Sequence, residues 1–399
     1  MSQATAYQTI LSDTIHDFIE QKRLTVEQIF TQVVEAIMQS ERDVFLSTQS
    51  NNKGNGYYER FINSFQGKLQ LHIPRDRQGH FHPLLLEILK QDNQRMQDLA
   101  LSLYSHGVSH RGVRDIFQSI FQTSISPTRL SQLVKAFEPH RMAWQSRRLD
   151  DSYHVIVIDA IHHAVRRGTV EREAMYVVMG LRKDFTREIL GIYQLPHETA
   201  IGWEEVFIDL TNRGIERVGL VLCDELSGIE SAIEKQLPHR HIQCCLVHKI
   251  RRLLLRARQS HKAQLSQDWR YVLGLEDTMY TKEQFVERLM TFIDRWKTHY
   301  PGIVRQLPET KWRYYSAYLH YPFAVRRMIY TTNWIERFNK EIRKVTKHVN
   351  SFPNPDSALN LVFMLVNKME DSTYAKPITS FYPYQDSMDL ILNQQTQDC

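Results

Sequence analysis

The sequence predicts an α/β protein: a mixed five-stranded sheet with an all-α insertion, preceded by an α-helical N-terminal region. Three observations predict it. Five short apolar runs lie between Tyr153 and Val247. The first three follow one another through turns and the last two alternate with helical stretches, which makes a sheet of mixed direction. Residues 262–321 are almost wholly helical in pattern, and residues 94–137 read as three helices.

In chain order, residues 1–42 read as helical, with Ile10, Ile15, Phe18 and Ile19 early and Ile29, Val33, Val34, Ile37 and Met38 later. Residues 51–56 read as a loop rich in Asn and Gly. Leu69, Leu71 and Ile73 alternate like a short strand ending at Pro74. The first of the next three helices carries Met96, Leu99, Ala100 and Leu103 and closes at Gly107. Ser109 caps the second, which carries Val113, Ile116, Phe117 and Ile120. Ser126-Pro127 opens the third, with Ser as cap and Pro in the first turn. Its Leu130, Leu133, Val134 and Phe137 face inward. Thr128, Ser131, Gln132 and Lys135 face out, with Arg129 flanking. Such side chains read base edges and phosphates in a major groove, so the region reads as a helix-turn-helix; a plain three-helix packing unit is the competing reading.

The strands are expected at 153–158, ending at Asp159, then 174–181, 188–195, 218–223, ending at Asp224, and 241–247. The turn Arg182-Lys183-Asp184 separates the second from the third. Residues 199–212 are an amphipathic helix closed by Gly214, and 227–236 a second helix. His248 begins a basic helix. Trp269, Phe285, Leu289, Phe292 and Trp296 anchor the insertion; Trp296 and Trp312 can stack on an unpaired base, with core packing the commoner fate of aromatics at helical spacing. The boundaries that follow are 1–50 (N-terminal helical region), 51–93 (linker and strand), 94–147 (helix-turn-helix), 148–262 (first part of the sheet domain), 263–325 (insertion), 326–370 (the C-terminal helix of that domain) and 371–399 (a polar tail).

Composition is that of a globular protein, with 42% hydrophobic and 24% charged residues in 399. The net charge of +5 decides little, but its distribution is uneven. Residues 238–262 hold seven Lys/Arg and no acid, and residues 337–347 hold five Lys/Arg against Glu341. Clustered basic charge is the footprint of a polyanion partner, a solvated helix face being the plain alternative. Four cysteines (Cys223, Cys244, Cys245, Cys399) make no disulfide framework in a chain of this length. No secretory signal and no membrane-length apolar run is present, so a cytoplasmic, nucleoid-associated protein is expected.

Three carboxylates carry the chemistry. Asp159 and Asp224 follow buried strands, where side chains converge at the edge of an α/β sheet. Glu336 heads the polar face of a helix whose other face is Ile335, Phe338, Ile342 and Val345. Asn339, Lys340, Arg343 and Lys347 continue that polar face. Together the three make an oxygen donor set for Mg²⁺, with Mn²⁺ as a substitute. Two such ions roughly 3.5–4 Å apart would activate an attacking oxygen and stabilise the leaving one at a phosphodiester. A strand-terminating turn or helix cap is the competing reading for each aspartate alone. Cys245 and His248, with His239 and His241 nearby, are a weak zinc candidate, because only Cys-x₂-His is well spaced.

From Gly56 to Lys368 the chain resembles the bacterial insertion-sequence transposases of the Mutator-like group. The pieces that carry the resemblance are Ile73-Pro74-Arg75-Asp76-Arg77, Leu103-Tyr104-Ser105-His106-Gly107, Val157-Ile158-Asp159-Ala160, Leu190-Gly191, Cys223-Asp224 with Gly228, Gln243-Cys244-Cys245-Leu246-Val247-His248, and Tyr330-Thr331-Thr332-Asn333 leading to Glu336. The resemblance implies an RNase H-like catalytic domain with Asp159, Asp224 and Glu336 as catalytic, metal-holding residues. It implies binding of terminal inverted repeats and target DNA by a homodimer or higher oligomer. Water would free a 3′-OH at the element end, and that hydroxyl would attack a second phosphodiester. It places Cys245 and His248 beside the catalytic site, with Arg251 and Arg252 one turn on toward the DNA backbone; Asn333 is a further DNA-binding or site-adjacent candidate. Two positions depart from the group's usual pattern. Glu225 stands where Gly is usual, and Ala164 where a basic residue is frequent, with Arg166 kept. An added carboxylate at 225 can enter the metal shell or repel phosphate. A catalytically silent DNA-binding derivative is the alternative from another class; an RNase H-like nuclease acting on RNA or repair substrates is a third.

Overall fold

A computed structural model describes residues 26–394 except 65–66, 122, 168, 196–198, 239, 348, 350 and 353. The early part of the expected N-terminal helix, His239 and Cys399 lie outside the described residues. The chain divides into two units between Ala136 and Phe137.

In the first unit, the helix Val26–Ser47 and the helix Leu84–Ser105 cover one face of an antiparallel hairpin, β1 (Gly54–Ser64) and β2 (Gly67–Asp76). Leu69, Leu71 and Ile73 are fully buried against Val34, Met38, Leu86 and Leu89, as their period-two spacing requires. Val33 and Ile37 of the first helix stay exposed. The loop after Asn51 is shorter than expected, because β1 starts at Gly54 and absorbs Gly56 (φ 67°) in a bulge. The helix expected from residue 94 starts at Leu84: Pro83 sets its entry, and the intervening Gln91, Asp92, Asn93 and Gln94 hide its apolar stripe.

Its end is as the sequence indicates. Gly107 is left-handed (φ 91°), its N–H donates to Tyr104 O, and Val108 N–H donates to Leu103 O. Ser109 Oγ then accepts from Gly112 N–H at 3.1 Å, and Ser126 Oγ from Arg129 N–H at 3.1 Å. The helices His110–Phe121 and Pro127–Lys135 follow, with Val113, Phe117, Leu130 and Val134 inside. Thr128, Arg129, Ser131, Gln132 and Lys135 form an exposed row.

The second unit opens with an unanticipated helix, Glu138–Gln145, and holds the sheet, in the order β5-β4-β3-β6-β7. β3 (Ser152–Arg167), β4 (Thr169–Leu181) and β5 (Arg187–Leu195) form an antiparallel meander; β6 (Arg217–Cys223) runs parallel to β3, and β7 (His241–Cys244) parallel to β6. The mixed five-stranded sheet is therefore present. Thr199 caps the crossover helix Ala200–Asn212, which packs Trp203 edge-on against Tyr176 of β4. Three boundaries need correction. β3 and β4 extend through 160–167 and 169–173, because these residues pair with each other although Ala160, His162, Ala164 and Arg166 do not read as an apolar run. β7 stops at Cys244, since Leu246 and Val247 already belong to the helix Leu246–Arg256.

The insertion contains the helices Gln259–Leu273 and Lys282–Lys297, the latter opened by a capping box between Thr281 and Gln284. Trp269, Phe285, Leu289, Phe292 and Trp296 are all buried. Trp296 is a core residue, its Nε1–H donating to Asp268 at 2.9 Å, whereas Trp312 is half-buried and donates to Leu307 O. The described part of the expected polar tail is structured: Gln385–Gln394 is a helix burying Met388 and Leu392, and Phe381 packs on Phe185. Phe185, in the β4–β5 turn, adopts a left-handed φ of 62°, held by that burial and by its N–H donating to Arg182 O. Among the described residues, no helix is long and apolar enough to cross a membrane.

Two half-buried histidines give the fold a pH dependence. Burial pushes His163 in β3 and His241 in β7 down to about 4. Their neutral forms are favoured only when folded, so their contribution is complete above the unfolded value of about 6.5 and is lost as pH falls through 4. The urea midpoint is therefore expected to drop between pH 7 and pH 4.5, and less steeply in His163→Phe; equal slopes would remove His163 from the account.

Candidate active site

Parallel pairing between β3 and β6 ends at Ile158 and Cys223. Asp159 and Asp224 are the next residues on neighbouring strands, and this register is what brings them together. Asp159 therefore stands within β3, at the end of its pairing with β6, and not at the end of the strand as expected. Glu336 comes from the helix Asn333–Thr346, whose first turn is set when Glu336 N–H donates to Thr332 O at 3.0 Å. The three carboxylates line one open cavity of about 430 Å³ with His248, Arg251, Arg252, Lys340 and Arg343.

His248 links the second and third acids, its Nδ1 3.9 Å from Asp224 and its Nε2 3.6 Å from Glu336. Arg252 donates to Asp224 at 2.8 Å and Arg251 to Glu336 at 2.9 Å. Asp159 is the most buried of the three. Burial pushes its carboxyl up to about 6, against the opposing pull of His248. Its two oxygens accept from the Ala160 N–H at 2.9 Å and from Asn339 Nδ2 at 2.7 Å.

That last bond corrects the expected polar face. Asn339 is fully buried and serves Asp159, while Lys340, Arg343 and Lys347 stay exposed. A one-turn spacing from Glu336 does not separate a solvent-facing amide from one that reaches across to β3. Removing a group that orients a carboxylate in this way typically costs about 10–100-fold in metal affinity or activity. Asn339→Leu is expected to lose that much activity with partial recovery at high metal concentration; undiminished activity would leave Asn339 a packing residue.

Cys245 is buried beside His248 and accepts from Thr332 Oγ1 at 3.5 Å. The thiol and the nearby Asp224 and Asp159 raise His248 to about 9 against its burial. Burial pushes the Cys245 thiol up, but the His248 ring more than offsets this and brings it below its usual value. The Leu246 N–H donates to Tyr330 O at 3.1 Å, so Tyr330-Thr331-Thr332 is fastened to the end of β7. That explains why two motifs distant in sequence carry one site. Among the described residues, no three His, Cys, Asp or Glu side chains are grouped closely enough to chelate an ion as they stand.

Glu225 also lines this cavity, but its carboxylate is already engaged. Its carboxylate accepts from Tyr315 Oη and pairs with Lys249, which also donates to Gln306 O at 2.8 Å. Lys249 is 5% exposed. Neither Lys249 nor Tyr315 was legible as a site residue, because their spacing from Glu225 follows no motif. Asn333 is exposed at the head of its helix, and Thr128, Arg129, Gln132 and Lys135 belong to the other unit.

Carboxylates gathered at the end of a parallel strand pair and ringed by cations suit a phosphate-containing substrate. Comparison with known proteins names the class. The description "Transposase, Mutator family" matches residues 2–375, and the chain belongs to this family of transposases. It is 30% identical over 370 residues to the transposase for insertion sequence element IS905 of Lactococcus lactis, covering 90% of this chain and 92% of that one. It is 29% identical to the transposase for IS1201 of Lactobacillus helveticus, over 82% and 89% of the two chains. It is 27% identical to the transposase for IS256 in transposon Tn4001 of Staphylococcus aureus, over 91% and 95%.

Proposed function

We propose that the protein binds the terminal inverted repeats of an insertion sequence and catalyses metal-dependent strand cleavage and strand transfer. In this reading the sheet domain is RNase H-like, and Asp159, Asp224 and Glu336 are its catalytic carboxylates. The observation that carries it is their convergence, from two adjacent strands and one helix, on a cavity rimmed by His248, Arg251 and Arg252.

The chemistry of the residues suits a hard divalent cation, although Asp224 and Glu336 must first release Arg252 and Arg251 to close around one. The donor set is oxygen-only, the groups now paired with Asp224 and Glu336 are themselves cationic, and Asn339 Oδ1 is buried with no hydrogen-bond partner among the described residues. Mg²⁺ or Mn²⁺, held by the three carboxylates, would polarise the attacking oxygen and neutralise charge on the phosphate. Arg251 and Arg252 then exchange their carboxylate partners for backbone phosphates, a bidentate match for guanidinium. His248, charged at neutral pH, contacts the scissile phosphate, and buried Cys245 fixes its position. Asn339 holds the Asp159 carboxylate in one rotamer.

In the first unit, the exposed row Thr128, Arg129, Gln132 and Lys135 fits a recognition helix in a major groove. Two copies of the chain on paired ends fit two terminal repeats. The direct test combines both parts. Full-length protein should nick and join duplexes carrying the element's own ends, and should bind them in preference to scrambled duplex. In Arg129→Ala/Gln132→Ala that preference is expected to shrink by about 1–3 kcal/mol per lost base contact. An unchanged preference would place end recognition elsewhere.

A further inference from the structure

A second cavity, of about 360 Å³, adjoins the catalytic one and shares Glu225 and Arg252 with it. One wall is the helix Leu246–Arg256, where Lys249, Arg252 and Arg256 recur at three- and four-residue spacing and so share a face. The other wall is the insertion, which contributes Arg305, Pro308, Lys311 and Tyr315. Five cations therefore meet one carboxylate, Glu225, and that carboxylate is already engaged by Lys249 and Tyr315. Lys311 is paired with Glu230 at 2.7 Å. Arg256 and Arg305 are exposed and have no ion pair or side-chain hydrogen bond among the described residues. Leu255, 82% exposed, stands at the rim.

Lys249, Arg252 and Lys311 have carboxylate partners, and the charges of Arg256 and Arg305 are left over, so this concavity carries an unbalanced positive charge. We infer that this cavity binds a backbone phosphodiester of the DNA strand that passes through the catalytic cavity, clamped between Arg256 of the sheet domain and Arg305 of the insertion. Arg252 joins the two cavities, with one guanidinium nitrogen 2.8 Å from Asp224 and another 3.6 Å from Glu225. The insertion then has a defined task. It supplies the second half of a phosphate clamp beside the site of chemistry, and Glu225 with Lys249 and Tyr315 ties the two halves together. The inference rests on the transposase reading for the identity of the strand.

The experiment is a methylphosphonate scan. Single neutral linkages replace phosphates, one at a time, around the cleavage position of an element-end duplex, and binding is measured with full-length protein in Ca²⁺. Wild type is expected to lose about tenfold in affinity at one or two linkages. R256Q/R305Q should weaken binding of unmodified DNA, flatten the slope of log affinity against log salt by about 1, and lose nothing further at those linkages. Both arginines are exposed and unpaired, so the variant should melt with wild type, and a melting scan checks this. Equal further loss in variant and wild type at every linkage, or no sensitive linkage in wild type, overturns the clamp. Because the readout is binding, absent nicking with an intact interference pattern would sink the catalytic reading and leave the clamp standing.

Discussion

Asp159→Ala, Asp224→Ala and Glu336→Ala are each expected to abolish strand cleavage while duplex binding persists. The loss should be at least about 10³-fold, or about 4 kcal/mol of transition-state stabilisation. Asp224 and Glu336 are ion-paired to arginines about half exposed to solvent, so their removal frees a guanidinium that water can solvate. Their loss is therefore expected to spare the fold. Asp159 differs, because its removal strands the buried Asn339 amide without an acceptor, which costs about 1–3 kcal/mol in addition. Asp159→Asn serves as its isosteric control. Cleavage retained in any one variant, measured on end-labelled duplex, would withdraw that residue's catalytic assignment.

The second large effect concerns Glu225. Its family position usually holds Gly, which invites the expectation that restoring Gly clears the metal site. The structure argues the reverse. The Glu225 carboxylate is the only anionic partner of Lys249 among the described residues, and Lys249 is almost wholly buried. Breaking a buried pair by removing one partner typically costs about 3–5 kcal/mol. Glu225→Gly should thus lower the urea midpoint markedly and loosen the contact with Tyr315 and Gln306. The double variant Glu225→Gly/Lys249→Met should recover much of the loss. A Glu225→Gly protein as stable as wild type would contradict the pairing.

Much of this architecture was legible because it rests on local rules. Caps at Ser109 and Ser126, the left-handed Gly107 and Gly214, and the apolar stripe of the Glu336 helix all act over a few residues. The apolar runs placed all five sheet strands, and the motif pieces picked out Asp159, Asp224, Glu336 and His248, which the structure brings to one cavity. What escaped is set by partners far away in sequence. Asp159 read as the end of a strand because the residues after it are not apolar, yet β4 pairs with them through Arg167. Asn339 read as a surface amide because its acceptor lies 180 residues earlier. Glu225 read as a threat to the metal site because nothing near it announces Lys249 or Tyr315. The helix Gln385–Gln394 escaped because two buried residues, Met388 and Leu392, are too few to show a stripe in a polar stretch.

In the proposed mechanism one carboxylate cluster performs cleavage with a divalent ion. The measurement that tests it most directly is nicking and joining of duplexes carrying the element's own ends, with Mg²⁺ or Mn²⁺ against chelator, and Asp224→Ala alongside. Metal-dependent nicking at the element end, followed by joining, is expected of the wild type, and neither is expected in the variant or in chelator. Specific binding without nicking in either metal would contradict it and make the protein a catalytically silent DNA-binding derivative.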